Sequence, residues 1–292
     1  MKIFKSPRLR LITAMTVFGT IGIFVRNVPL SSGEIALYRA IIATVIIGGF
    51  LLVTGQKLPL DKIKKEILPL ALSGIAIGIN WVLLFEAYDN TTVSIATLSY
   101  YFAPVIVTFI CPIIFRERLT LMQIVCFVMS TLGLVLITGI GTTGGNDLVG
   151  ILFGLGAAVF YATALLLNKF MKETTGIQRT FIQFVFAIVV LLPYVLTTSG
   201  ITLSGMNGKG WVNLFILGIL HTSIPYCLYL PTLKELPGQE TAILSYADPL
   251  VAVIISVTLL GESMTLMQII GGALILGFTL LNEILPKSRK KT

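Results

Sequence analysis

The chain has 292 residues, of which 55% are hydrophobic and only 12% charged, and its mean hydropathy is +0.95. So few charges do not cover the surface of a water-soluble domain of this length, which places the chain among polytopic membrane proteins. The formal charge of +8 would suggest nucleic acid for a soluble chain; here the location of the charges matters more than their sum, and no nucleic-acid partner is expected.

A bilayer crossing takes roughly 20 apolar residues. Ten runs qualify: 9–28, 33–54, 66–86, 92–114, 120–139, 148–170, 178–198, 209–230, 239–260 and 265–285. The basic start followed by an apolar run imitates a secretory signal, but the run is too long and has no small-x-small cleavage site. It counts as the first span. Ser31-x-x-Glu34 has the spacing of a capping box at the start of span two. Connections are short and carry helix breakers, as in Pro29 to Gly33 and Gly139 to Asp147. Cys111, Cys126 and Cys227 lie in apolar runs without a CxxC spacing, so they read as small buried hydrophobes.

One stretch occurs twice. Residues 96–124 and 242–269 match with a shift of 145, pairing Pro104 with Pro249, Glu117 with Glu262, and Thr120–Ile124 with Thr265–Ile269. Repetition at half the chain length marks a duplicated unit. The expected units are 1–139 and 148–285, followed by a basic cytoplasmic tail, 286–292. Basic residues stay on the cytoplasmic side. With the N-terminus inside, 18 of the 21 Lys and Arg fall in inner segments, so both termini are placed in the cytoplasm. Five spans per unit, an odd number, turn the second copy upside down. The arginines flanking Glu117 are absent around Glu262, where the loop faces outward. The expected fold class is an all-α membrane protein with ten transmembrane helices in two inverted five-helix repeats, the architecture of secondary transporters.

Proline deprives the carbonyl four residues earlier of its donor, and such breaks are tolerated in a membrane where protein or a cavity satisfies the freed group. Pro104, Pro225 and Pro249 free the carbonyls of Tyr100, His221 and Ser245, near the middle of spans four, eight and nine. Ionisable side chains there each need a partner or a purpose. Asp248, opposite Ala103 of the first copy, reads as a cavity position ahead of a buried structural acid. His221, the only histidine, is either a packing residue or a polar cavity wall, and with Asp248 it is a candidate for proton coupling. Arg39 either pairs with Glu34 or Glu86 or serves an anionic substrate, with the structural pair favoured. Asn80, Trp81, Tyr100, Tyr101, Tyr161, Tyr226 and Tyr246 supply amide and aromatic groups at mid-depth. The expected cavity set is therefore Asn80, Trp81, Tyr100, Tyr161, His221, Ser245, Tyr246 and Asp248, suited to an amino acid or another small amphipathic or aromatic solute. Gly154, Ala158 and Ala162, and Ala273 with Gly277, have the spacing of helix-packing seams.

The motif Pro104…Arg116-Glu117-Arg118-Leu-Thr-Leu-Met-Gln123, its copy Pro249…Gly261-Glu262-Ser263-Met-Thr-Leu-Met-Gln268, and Tyr38-Arg39 resemble the drug/metabolite transporter superfamily, in particular its ten-span permeases built from two EamA domains. The resemblance implies export or exchange of metabolites, amino acids or drugs from a central cavity. It also implies architectural roles for Glu117 and Glu262, and it strengthens the structural reading of Arg39. No catalytic residue, metal or cofactor is expected, because the chain has one histidine and lacks HExxH and GxSxG arrangements. A lipid-linked substrate flippase, a channel and an intramembrane enzyme are the competing classes. The expected partners are a small solute and the lipid bilayer. The expected setting is the plasma membrane, and a monomer suffices because one chain holds both orientations.

Overall fold

A computed structural model describes residues 6–284 apart from 57, 116–119, 139–144, 175, 237–240 and 242–243. The described chain is helical, without a strand. In order it forms α1 (Pro7–Gly19), α2 (Ile21–Val25), α3 (Ser32–Val53), α4 (Leu60–Lys65), α5 (Ile67–Asn90), α6 (Val93–Tyr100), α7 (Ala103–Phe115) and α8 (Leu121–Thr138). The second half follows with α9 (Gly145–Phe170), α10 (Gly176–Thr198), α11 (Gly208–Gly218), a π turn at Ile219–Ser223, α12 (Ile224–Glu235), α13 (Ala247–Thr258) and α14 (Leu266–Ile284). Seven described segments are long and apolar enough to cross a membrane. The apolar helices at Leu121–Ile137, Ala247–Thr258 and Leu266–Asn282 are shorter. The protein is an all-α polytopic membrane protein.

The halves pack by exchange. α9 lies on α5 as α11 and α12 lie on α2 and α1; α10 lies on α5 as α11 lies on α3; α6 and α7 meet α9 as α13 meets α1. The remaining pairs, α3 with α10, α6 with α13 and α8 with α14, are their own counterparts. A pseudo-two-fold relation between the halves produces this pattern.

The repeated Thr-Leu-Met-Gln segment has a local cause. Gln123 accepts from the Thr120 N–H at 2.9 Å while Thr120 Oγ1 accepts from the Gln123 N–H at 3.2 Å. Thr265 and Gln268 repeat both bonds at the same distances. These are Thr-x-x-Gln capping boxes that start α8 and α14 by satisfying donors no helix turn can serve. The Ser31/Glu34 box forms too.

Between lipid-embedded helices, association depends on close van der Waals approach, which small residues permit. A Cβ on Gly133 would lie 2.6 Å from the Gly271 carbonyl oxygen, and one on Gly271 would lie 2.5 Å from that of Gly133. That crossing joins α8 to α14. Gly154 packs against Ser99 and Ala96 of α6, and Ala158 and Ala162 pack against Phe102 and Val105, so this expected seam exists. The seam expected at Ala273 and Gly277 does not: both are exposed, and a Cβ added to Gly277 would meet nothing within 4 Å. On α14 it is Gly271 and Gly272 that meet neighbouring helices.

Candidate functional site

Spans four, eight and nine are all interrupted in their interiors. Span four breaks at Tyr101–Phe102, between α6 and α7, and span nine turns at Tyr246, before α13. The shift of 145 superposes these breaks. Pro104 and Pro249 therefore sit within the first turn of a new helix, where a missing N–H costs nothing. Phe102 O accepts from the Val105 and Ile106 N–H groups at 3.0 and 3.1 Å. Span eight is relieved differently, by the π turn immediately before Pro225. The His221 carbonyl, which Pro225 deprives of its helical donor, takes Nη2 of Arg39 at 3.4 Å.

Asp248 faces the first of these breaks. Its Oδ2 accepts from the Tyr101 hydroxyl at 2.7 Å. Tyr101 in turn lies 5.9 Å from Tyr100 and 6.4 Å from Tyr246 between ring centroids, and Tyr100 lies 5.3 Å from Tyr161. Four tyrosines and one carboxyl thus form a continuous polar-aromatic surface of partly buried residues. α1 closes over it: a Cβ on Gly19 would come within 2.5 Å of the Asp248 carbonyl oxygen.

His221 is engaged elsewhere. It is fully buried, tilted over Phe24 at 4.7 Å, with Nε2 2.8 Å from Thr20 Oγ1 and Nδ1 3.3 Å from Ile216 O. A carbonyl only accepts, so Nδ1 carries a proton, while the Thr20 hydroxyl beside Nε2 also lies 2.8 Å from the Val17 carbonyl, a second acceptor for its one proton. Asn80 donates to Ala157 O at 2.7 Å, tying α5 to α9. Ser245 returns its hydroxyl to Thr241 O at 2.8 Å. These three side chains spend their polar groups on the protein itself.

Arg39 corrects an expectation. It is 4% exposed, yet neither Glu34 nor Glu86 is within ion-pair distance. Glu34 is taken up by Ser31 and by the N–H and hydroxyl of Thr202, at 2.7 and 3.0 Å. The guanidinium instead donates from Nε to Thr222 Oγ1 at 2.5 Å. It lies 4.3 Å from the Trp81 centroid and 5.6 Å from that of Phe85. Trp81 also packs on Phe184 at 5.2 Å, and Phe184 on Tyr226 at 5.3 Å.

Glu262 stands where α13, α6 and the end of α5 meet. It accepts from the Val93 N–H at 2.9 Å, capping α6, and binds Arg26 and the Ser256 hydroxyl. Arg26 further donates to the carbonyls of Tyr88 and Thr91 at the end of α5, at 2.8 and 2.5 Å. Gly261, at φ +65°, supplies the left-handed turn that brings Glu262 back over Ser256. Glu117 lies outside the described residues.

The two ends of the bundle differ. At the end holding Arg26, further hydrogen bonds join Thr91 to Asp147, Ser32 to Asp89 and Ser31 to Ser199. Gly33 packs directly against the Tyr194 ring there. At the lysine-rich end, Arg10 binds Glu235 and Glu66 gathers the segment 172–174. There, however, α3, α10 and α12 part around a cavity of about 370 Å³, lined by residues that include Phe50, Gln56, Ile177, Cys227 and Leu230.

Two five-helix repeats with broken helices meeting in the interior are an architecture found among membrane transporters. The chain belongs to the EamA-like transporter family, whose model matches residues 8–139 and 148–283. It is 31% identical over 266 residues to the "uncharacterized transporter YxxF" of Bacillus subtilis (strain 168), covering 90% of this chain and 85% of that one. An Archaeoglobus fulgidus transporter is 28% identical over 273 residues, covering 93% and 94%. A crystal structure shares the fold with a TM-score of 0.63 at 18% identity, covering 94% of this chain and 96% of the other.

Proposed function

We propose that the protein is a secondary transporter exporting a small metabolite, an amino acid or another aromatic or amphipathic solute, across the plasma membrane by alternating access, with both termini cytoplasmic. The observation that carries this reading is the difference between the two ends. The contact of Gly33 with Tyr194 at the sealed end corresponds, through the shift of 145, to Gln178 and Gly49 at the lysine-rich end. There the helices part around the cavity instead. Halves related by a pseudo-two-fold axis can exchange these states at little net energetic difference, which is the physical basis of alternating access. A solute enters from the cytoplasmic cavity and rests against Asp248 and the tyrosines at the helix breaks. It leaves when the Arg26–Glu262 end opens.

Asp248 is the candidate proton carrier, since Ala103 occupies the equivalent place and the fold itself needs no acid there. His221, with both ring nitrogens engaged, is a packing residue in this reading. Solute counterflow in proteoliposomes tests it, with solutes chosen by thermal shift across amino acids, nucleobases and cationic drugs. Saturable exchange is expected, and Asp248→Asn abolishes its pH dependence. An unchanged pH profile removes Asp248 from coupling; non-saturable flux argues for a channel.

A further inference from the structure

The contacts around Arg39 repeat across the pseudo-two-fold relation. With the shift of 145, Arg39 corresponds to Phe184 and Trp81 to Tyr226. The Arg39–Trp81 contact at 4.3 Å is mirrored by Phe184–Tyr226 at 5.3 Å. The Trp81–Phe184 contact at 5.2 Å corresponds to the pair Tyr226 and Arg39. Three contacts thus link four side chains, Arg39, Trp81, Phe184 and Tyr226, one from each of α3, α5, α10 and α12. Three of the four are aromatic and one is a cation. The fold does not require that cation, because the corresponding position is filled by phenylalanine in the other half.

The guanidinium is also under-compensated. Of its nitrogens, Nε and Nη2 reach Thr222 and His221 O, while Nη1 has no hydrogen-bond partner among the described residues. No described carboxylate lies within ion-pair distance, and Asp248 is held by Tyr101. The tyrosines packed in the same core as Trp81, namely Tyr88, Tyr100 and Tyr226, bring hydroxyls and no carboxylate. Buried charges in membranes are normally paired, and a guanidinium with an open edge matches the two oxygens of a carboxylate. A single cation beside aromatic walls suits a monoanion with an apolar body better than a dianion.

We propose that Arg39 is the anion receptor of the transport site, holding the carboxylate of a small solute whose apolar body lies against Trp81, Phe184 and Tyr226. The assignment rests on the transporter reading above for its biological setting, but its test does not. The chain has two tryptophans, so in a Trp211→Phe background the emission reports Trp81. Phenylacetate is expected to change that emission saturably and to raise the melting temperature. Phenylacetamide and phenethylamine are expected to bind roughly ten-fold or more weakly. Arg39→Gln removes the advantage of the acid, and Arg39→Lys retains part of it. Where Arg39→Gln does not fold, the comparison of acid with amide decides alone. Equal binding of acid and amide, no saturable response to phenylacetate, undiminished binding by folded Arg39→Gln, or tighter binding of phenyl phosphate overturns the assignment. Counterflow run in parallel separates the two readings. Flux that is indifferent to Arg39 and to a carboxylate overturns the receptor and leaves the transporter. Arg39-dependent binding without flux does the reverse.

Discussion

Glu66 stands just before α5, outside the membrane-spanning helices, and its carboxylate collects four donors. The N–H groups of Lys172, Glu173 and Thr174 reach it at 2.6, 2.8 and 2.9 Å, and the Thr174 hydroxyl at 2.6 Å. Burial alone pushes the carboxyl pKa up. The hydrogen bonds from Glu173, Thr174 and Lys172 outweigh it and bring the pKa from 4.5 down to about 2. A depressed pKa means the folded state favours the ionised form, so the stabilisation is complete above pH 4.5 and is lost as the pH falls toward 2. Melting temperatures in detergent are expected to fall between about pH 5 and pH 3 more steeply for the natural protein than for Glu66→Gln. Parallel curves would contradict this role. Glu34 gathers a distant segment at the other end, where it accepts from the N–H and hydroxyl of Thr202. Thr-x-x-Gln spacing, visible in the chain, announces a cap; Glu66 carries no such local signal, because its partners are 106 to 108 residues away.

At the scale of helices, the seams are set by where small residues meet backbone. The mutual approach of Gly133 and Gly271 leaves no room for a methyl group without moving a carbonyl. Gly133→Ala is expected to destabilise the α8–α14 pair by about 1–3 kcal/mol. Gly277→Ala, which meets open space, is expected to stay within about 0.5 kcal/mol. Thermal unfolding in detergent compares the two, and equal losses would refute the seam. Gly-xxx-small spacing alone did not separate these positions. Ala273 and Gly277 have the right interval and the wrong face, and only the packing of α14 reveals which face is buried. The helix breaks were partly legible: proline removes a donor wherever it stands, and Pro104, Pro225 and Pro249 lie at interruptions, while Pro193 and Pro231 stand inside continuous helices.

At the scale of the molecule, the sealed end is held by contacts between the two halves, among them the hydroxyls of Ser31 and Ser199 at 2.9 Å. A Ser31→Cys, Ser199→Cys pair, in a background without the native cysteines, is expected to form a disulfide that locks this end. Counterflow should stop on oxidation and return with reductant. Full flux from the oxidised protein would mean this end does not open during transport.

The amino-acid sequence by itself determined the class, the ten apolar segments, the duplication and the candidate sites of helix interruption. Each of these follows from composition, from a repeat spacing or from the chemistry of one residue. Tertiary structure decided which polar groups are spent and which stay open. Asn80, His221 and Ser245 satisfy themselves within the protein, Asp248 meets Tyr101, and Arg39 lies away from the acids expected to neutralise it. Apart from the local bond of Ser245, those outcomes depend on contacts across 77 to 201 residues of chain, a distance over which side-chain type and spacing carry no directional information.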